Sequence, residues 1–154
     1  MPQKRRLLWY ISILLIVLLF CLGIRLMPPS KPGNLGLTDG KLGGCPSSPN
    51  CVSSEANDAA HRVASIEFTG SIADAKEQLV HIVGQLPRIS LVTERENYLH
   101  FECRSKIFRF IDDLEFYLDA KSKSIQMRSA SRIGYSDLGV NRDRANKITE
   151  AFQY

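Results

Sequence analysis

Tyr98-Leu-His-Phe-Glu-Cys-Arg-Ser-Lys-Ile-Phe-Arg-Phe-Ile-Asp-Asp-Leu-Glu-Phe-Tyr-Leu-Asp-Ala120 runs through Lys121-Ser-Lys-Ser124 into Ile125-Gln-Met-Arg-Ser-Ala-Ser131. Its aromatic and branched residues read as strands over Tyr98 to Ile111, Leu114 to Ala120 and Ile125 to Ser131, with a polar turn before the last. Working outward, Ile89 to Thr93 alternates and residues 63–69 read as a short strand. Between those two, Ser71 and Asp74 have the spacing of a capping box. Ile72, Ala75, Leu79, Ile82, Val83 and Leu86 then share a helical face that Pro87 ends. A last helix spans Val140 to Phe152, with Ala145, Ile148 and Phe152 as its apolar stripe. The order is strand, helix, four strands, helix. Consecutive strands pair as antiparallel neighbours, so the expected fold is α+β, a mostly antiparallel sheet of about five strands with two helices on one face.

Period two creates a difficulty inside the deciding stretch. A regular strand puts Phe108, Phe110, Asp112, Leu114, Phe116 and Leu118 on one face, driving Asp112 into an apolar row. That costs several kcal/mol unless the carboxylate is paired or hydrogen-bonded. Two other readings stand beside it: a bulge at Asp112-Asp113, or a turn there that leaves both acids in solvent. In the following strand Arg128 and Arg132 share a face, opposite Ile125, Met127, Ser129 and Ser131. A hairpin then sets Arg128 across from an acid of the Asp112–Glu115 region. Beyond it, Gly134 and Gly139 bracket a turn, and Asp137 or Asn141 is placed to cap the last helix. The free amides at that helix start could instead receive an anion, helped by Arg132, Arg142 and Arg144.

The chain has 154 residues and a formal charge of +4. Residues 1–28 hold Lys4, Arg5, Arg6 and Arg25 and no acid, so they account for the whole excess; the other 126 residues carry 16 bases and 16 acids. A neutral body argues against nucleic acid as a partner. Leu7 to Ile24 is eighteen residues without a charge, roughly 27 Å as a helix. With Lys4-Arg5-Arg6 before it and Trp9 and Tyr10 at its start, residues 1–28 read as an uncleaved anchor with a cytoplasmic N-terminus. A cleaved signal is the competing reading, and Cys21-Leu22-Gly23 is a poor cleavage site. Either way residues beyond are exported. Residues 29–44 are a Pro/Gly-rich linker or strap, and residues 45–154 the domain.

Cys45 and Cys51 bracket Pro46-Ser-Ser-Pro-Asn50. In an exported protein they are candidates for a disulfide; free thiols or a metal site are the alternatives, and the spacing lacks the short Cys-x-x-Cys pattern. Cys103 reads as a packed side chain. No nucleophile elbow, phosphate loop or metalloprotease motif is present, and His61, His81 and His100 lie outside the polar motifs. No cofactor and no metal is expected.

Cys45-Pro-Ser-Ser-Pro-Asn-Cys51-Val-Ser-Ser54, Asp112-Asp113 and Arg128-Ser-Ala-Ser-Arg132-Ile-Gly-Tyr135-Ser-Asp137-Leu-Gly-Val-Asn141-Arg142 resemble, in that order, the signatures of the DUF1499 family. The resemblance covers about residues 43–154. It implies a domain of unknown function, often behind a membrane or export segment, and carries over no catalytic residue. It marks Cys45, Cys51, Asp112, Asp113, Arg128, Ser129, Ser131, Arg132, Tyr135, Asp137, Asn141 and Arg142 as a constellation. The expectation is a membrane-tethered extracytoplasmic domain that binds a small anion, an envelope component or a protein. The alternatives are an enzyme with an Asp/Arg/Tyr site, or a structural latch.

Overall fold

A computed structural model describes residues 3–26 and 29–153 of the chain. Met1, Pro2, Met27 and Pro28, which belong to the segment read as an anchor, and Tyr154 lie outside the described residues. The elements are α1 (Gln3–Leu26), β1 (Leu37–Thr38), β2 (Lys41–Leu42), β3 (Cys51–Ser53), β4 (Ile66–Glu67), α2 (Ile72–Gly84), β5 (Ile89–Glu94), β6 (Tyr98–Arg104), β7 (Ile111–Asp119), β8 (Ser124–Ser131) and α3 (Val140–Gln153).

The meander is present: β5, β6, β7 and β8 pair in sequence, all antiparallel. The sheet has six strands rather than five, because β3 adds beyond β8 through the register Cys51↔Ala130 to Ser53↔Arg128. The strand expected over residues 63–69 shrinks to β4, paired with the start of β8. Helix α2 has the expected capping box, with the Ser71 Oγ accepting from the Asp74 amide at 3.1 Å and the Ser71 amide donating back to Asp74.

The core lies between one sheet face and two helices. Leu99, Phe101, Leu114, Phe116, Leu118, Ile125 and Met127 face Ala75, Leu79 and Val83 of α2 and Ala145, Ile148 and Phe152 of α3. Phe101 and Phe116 meet edge to face at 6.1 Å, an arrangement the ring quadrupoles favour. Cys103 is buried and unbonded in this core, and burial pushes its thiol up to about 11. It is a packed side chain, not a poised thiolate.

The break in the 98–120 stretch is not at Asp112-Asp113. It is a turn over 105–110, closed by the Ser105 amide on the Phe110 carbonyl at 2.9 Å, so Phe108 and Phe110 belong to a loop. From Cys103↔Asp112 onward β6 and β7 pair without a shift. The bulge and solvent-turn readings of the two acids are therefore both wrong, and Asp113 is 1% exposed. The sheet's irregularity sits in edge strand β5, between Leu91 and Thr93.

Residues 29–46 cross the sheet face opposite the helices. The Gly36 amide, turned by a φ of 98° that glycine tolerates, donates to Glu115 Oε1 at 2.8 Å, and the Leu42 amide donates to Glu55 at 2.8 Å. Gly43 lies so close to the Asn34 carbonyl that a β-carbon would collide with it. Cys45 and Cys51 are disulfide-bonded, which joins this strap to β3. Loop-closure entropy for so short a ring gives about 2 kcal/mol. The Cys45→Ser/Cys51→Ser variant of the full chain is expected to lose that much stability in urea unfolding; an unchanged midpoint would show that the strap is held by its hydrogen bonds alone.

In α1 the described side chains from Leu7 to Phe20 are largely exposed. Among the described residues no helix is long and apolar enough to cross a membrane. Within α1 the side chains described without a break are those of 5–20, and those of Lys4, Cys21, Ile24, Arg25 and Leu26 lie outside them.

Candidate functional site

Because successive residues of a strand point to opposite faces, the Asp112–Glu115 segment feeds two separate polar groups. Asp112 and Leu114 point to the helices; Asp113 and Glu115 point to the strap. The constellation marked in the sequence is thereby divided by the sheet.

On the strap side, β6 contributes Tyr98, His100 and Glu102, β7 contributes Asp113 and Glu115, and β8 contributes Arg128, with Arg132 just past its end. Arg132 holds Asp113 in a two-pronged pair, Nε to Oδ2 at 2.9 Å and Nη2 to Oδ1 at 2.7 Å, and reaches Glu102 Oε1 at 2.6 Å. Its Nη1 donates to the Pro29 carbonyl at 3.3 Å. His100 Nε2 lies 2.8 Å from Asp113 Oδ1, and Arg104 donates to Glu102 Oε2 at 2.8 Å. Glu115 accepts from the Tyr98 hydroxyl at 2.7 Å, the Gly36 amide, and Arg128 Nη1 at 2.9 Å.

The electrostatics follow from these contacts. Burial raises the Asp113 pKa, but the Arg132 and His100 hydrogen bonds outweigh it and leave the carboxyl below the usual range. Its charged form is what accepts, so the His100 proton on that side belongs on Nε2. Burial, then the bond to Glu115, drives the Tyr98 hydroxyl well above its ordinary value. The hydrogen bonds to Asp113, against the opposing effect of burial, raise Arg132 further still.

One donor on this face has no partner. Arg128 is 3% exposed, and its Nε is a buried polar atom without a hydrogen bond among the described residues. The same side chain lines a cavity of about 400 Å³ between strap and sheet. Pro32, Asn34, Cys45 and Pro46 form the strap wall, with Asp113, Ala130 and Arg132 on the sheet wall.

On the helix side the arrangement is closed. Asp112 accepts from Arg144 Nη2 at 2.7 Å, and Arg144 Nη1 donates to Ser129 Oγ at 2.8 Å and Asn141 Oδ1 at 2.6 Å. Asn141, fully buried, also accepts from Ser129 and donates to the Asn50 carbonyl at 3.1 Å and Ser131 Oγ at 3.0 Å. Asp137 caps α3 by accepting the Asn141 amide at 2.7 Å. Arg142 grips the carbonyls of Arg62 and Ala60 at 2.7 and 2.6 Å. The anion site imagined at this helix start does not assemble. Arg132 is on the other face, and Arg142 and Arg144 are engaged by protein groups.

Arg128 does lie across from an acid, Glu115, in register and paired at 2.9 Å. Tyr135 joins neither group and is 76% exposed. Tyr98, His100, Glu102, Glu115 and Arg144 belong to the networks although the motifs do not contain them. The alternation Tyr98, His100, Glu102 is the signal that marks a second, polar sheet face.

The acids and the phenol of this face are already hydrogen-bonded. Asp113 and Glu115 have oxygens occupied by cationic or hydroxyl donors, and Tyr98 holds its proton tightly. A general base needs an accessible lone pair within reach of the substrate. Among the described residues no cluster of histidine, cysteine and acidic side chains is arranged to hold a metal. A comparison with curated proteins returns no match. The family model described as a protein of unknown function, DUF1499, matches residues 41–152, which take in the side chains of both polar networks and the disulfide, and the chain therefore belongs to the DUF1499 family.

Proposed function

We propose that the chain is a membrane-tethered, exported binding domain whose ligand occupies the cavity between strap and sheet and presents an acceptor oxygen to Arg128. The observation that carries this reading is Arg128, whose side chain lines the cavity and whose buried Nε has no partner among the described residues. Leaving such a donor unmade costs about 1–3 kcal/mol, a deficit that a bound acceptor removes. The volume lies at the small end of ligand pockets, roughly 300–1,000 Å³.

Charge narrows the ligand class. Glu102, Asp113 and Glu115 are matched on this face by Arg104, Arg128 and Arg132. A floor already neutralised favours a group with one acceptor and at most one negative charge, such as a small carboxylate, over a polyphosphate. The address rests on separate support. The uncharged run Leu7–Ile24 lies inside the continuous helix α1 behind a basic N-terminus, and the Cys45–Cys51 bond suits an oxidising compartment.

Acetate, succinate and inorganic phosphate titrated against the full chain in detergent micelles test the site by thermal shift. A carboxylate is expected to raise the midpoint. Ala130→Leu, which fills the cavity without touching a charge, should remove the shift. A shift that survives Ala130→Leu would place the binding elsewhere.

A further inference from the structure

Among the described residues, eight large apolar side chains outside α1 are exposed. Six of them, Ile107, Phe108, Ile133, Tyr135, Leu138 and Val140, lie in or beside two loops at one end of the sheet. The 105–110 loop joins β6 to β7. The 132–139 loop leaves β8 next to it, since the Arg132 amide donates to the Ile111 carbonyl at 3.0 Å. Phe108 and Phe110 stack on each other at 5.4 Å rather than on the core.

Both loop tips hold a side chain outward at a conformational cost. Arg109 and Leu138 have φ values of 60° and 57°, the left-handed region that residues with a β-carbon avoid. Leu138 is nonetheless 93% exposed. A leucine held in that conformation gains nothing from packing within its own chain.

Connectivity says what lies opposite. The Pro29 carbonyl is hydrogen-bonded to Arg132 at this same end of the sheet. Pro29 is only three positions beyond Leu26, the last residue of α1, and three residues reach at most roughly 11 Å. With α1 in a bilayer, as proposed above, this end of the domain is held at the membrane surface. The charge there suits anionic headgroups. The segment 104–110 contains Arg104, Lys106 and Arg109 and no acid. The one acid of the 132–139 loop, Asp137, is occupied by the amides of Gly139 and Asn141.

We infer that the 105–110 and 132–139 loops are a membrane-docking edge. It seats the exported domain on the bilayer that holds α1, with Ile107, Phe108, Tyr135 and Leu138 entering the interface and Lys106 and Arg109 on lipid phosphates. The inference rests on the membrane-tethered reading. Its consequence is a domain with one fixed orientation above the bilayer, in place of free rotation on a linker.

The full chain reconstituted into phosphatidylcholine vesicles with about one third phosphatidylglycerol, an anionic surface, separates the two ideas. Trp9 is the only tryptophan, so bromolipid quenching of the unmodified chain reports α1. In a Trp9→Phe background, Leu138→Trp or, as a second site, Phe108→Trp reports the loops. Lipids brominated high on the acyl chain are expected to quench each loop reporter at least twofold. Lys106→Glu/Arg109→Glu should lower the ratio of docked to undocked domain by at least about fivefold. Quenched Trp9 with unquenched, red-emitting loop reporters overturns the docking and leaves the anchor standing. Unquenched but blue-shifted loop reporters overturn it too, because protein then covers the loops. An unquenched Trp9 removes the anchor itself.

Discussion

Arg132→Met is expected to destabilise the domain by about 3–5 kcal/mol, the range for a buried ion pair that loses one partner. The guanidinium neutralises Asp113 and Glu102 together, and those side chains are 1% and 11% exposed. Methionine restores volume but leaves Asp113 with only His100 and Glu102 with only Arg104. It also frees the Pro29 carbonyl, loosening the start of the strap. Urea unfolding of the full chain in micelles, followed by circular dichroism, measures the loss. A cost below about 1 kcal/mol would mean that the pair is no better than a surface one.

The pH dependence gives the same prediction a sign. The folded Asp113 pKa lies below the unfolded value, which is about 3.9. The unfolded state therefore binds the proton more readily. The stabilisation is fully present above the unfolded pKa and is lost as pH falls through the lower, folded one. Wild type should lose stability on acidification across that window. In Arg132→Met the Asp113 pKa is expected to rise, since burial then meets less opposition. The acid-linked loss then shrinks or reverses. Parallel unfolding curves at neutral pH and below pH 4 read this directly.

Asn141→Ala is expected to cost about 3 kcal/mol, through several buried groups that lose partners at about 1–3 kcal/mol each when left unmade. Asn141 stands in the first turn of α3 with no exposed surface, and its amide group ties Ser129, Ser131, Arg144 and the Asn50 carbonyl together. Alanine leaves the Asn50 carbonyl without this donor and Arg144 short of one acceptor. Asp137→Ala removes only the cap, about 1 kcal/mol, and serves as the comparison. If the two variants unfold at the same midpoint, the buried network contributes nothing beyond capping. Neither residue lines the cavity, and only Asn141 bonds a residue that does, Ser131, so ligand binding by the folded fraction should persist.

Much of the architecture was legible because it depends on local pattern. The capping box at Ser71 and Asp74, the stripe Ala75, Leu79, Val83, and the stripe Ala145, Ile148, Phe152 are read from spacing alone. The meander follows from runs of branched and aromatic residues. The misplaced break between β6 and β7 has a physical cause. Ile107, Phe108 and Phe110 look like strand residues by type, yet they sit in a loop, exposed or half-buried. Strand β3 was missed because Cys51-Val-Ser53 is too short to show a period.

The site divides along the same line. That Arg128 and Arg132 share a face, with Ser129 and Ser131 split from them, is dictated by period two and needs no structure. Which acids they meet is not, because partner identity depends on strand register, set for β7 against β8 by the 120–123 turn and for β6 against β7 by the 105–110 turn. Register alone places Glu115 across from Arg128 and turns Asp112 to the helices, where Arg144 awaits it. The sequence by itself determined the α+β composition, the charge-free run Leu7–Ile24 and the neutrality of residues 29–154. Tertiary structure alone decided that the strap 29–46 closes over the polar sheet face. Among the described residues, one guanidinium nitrogen of Arg128 is left buried without a partner beneath the strap, whose placement depends on contacts between residues about eighty or more positions apart.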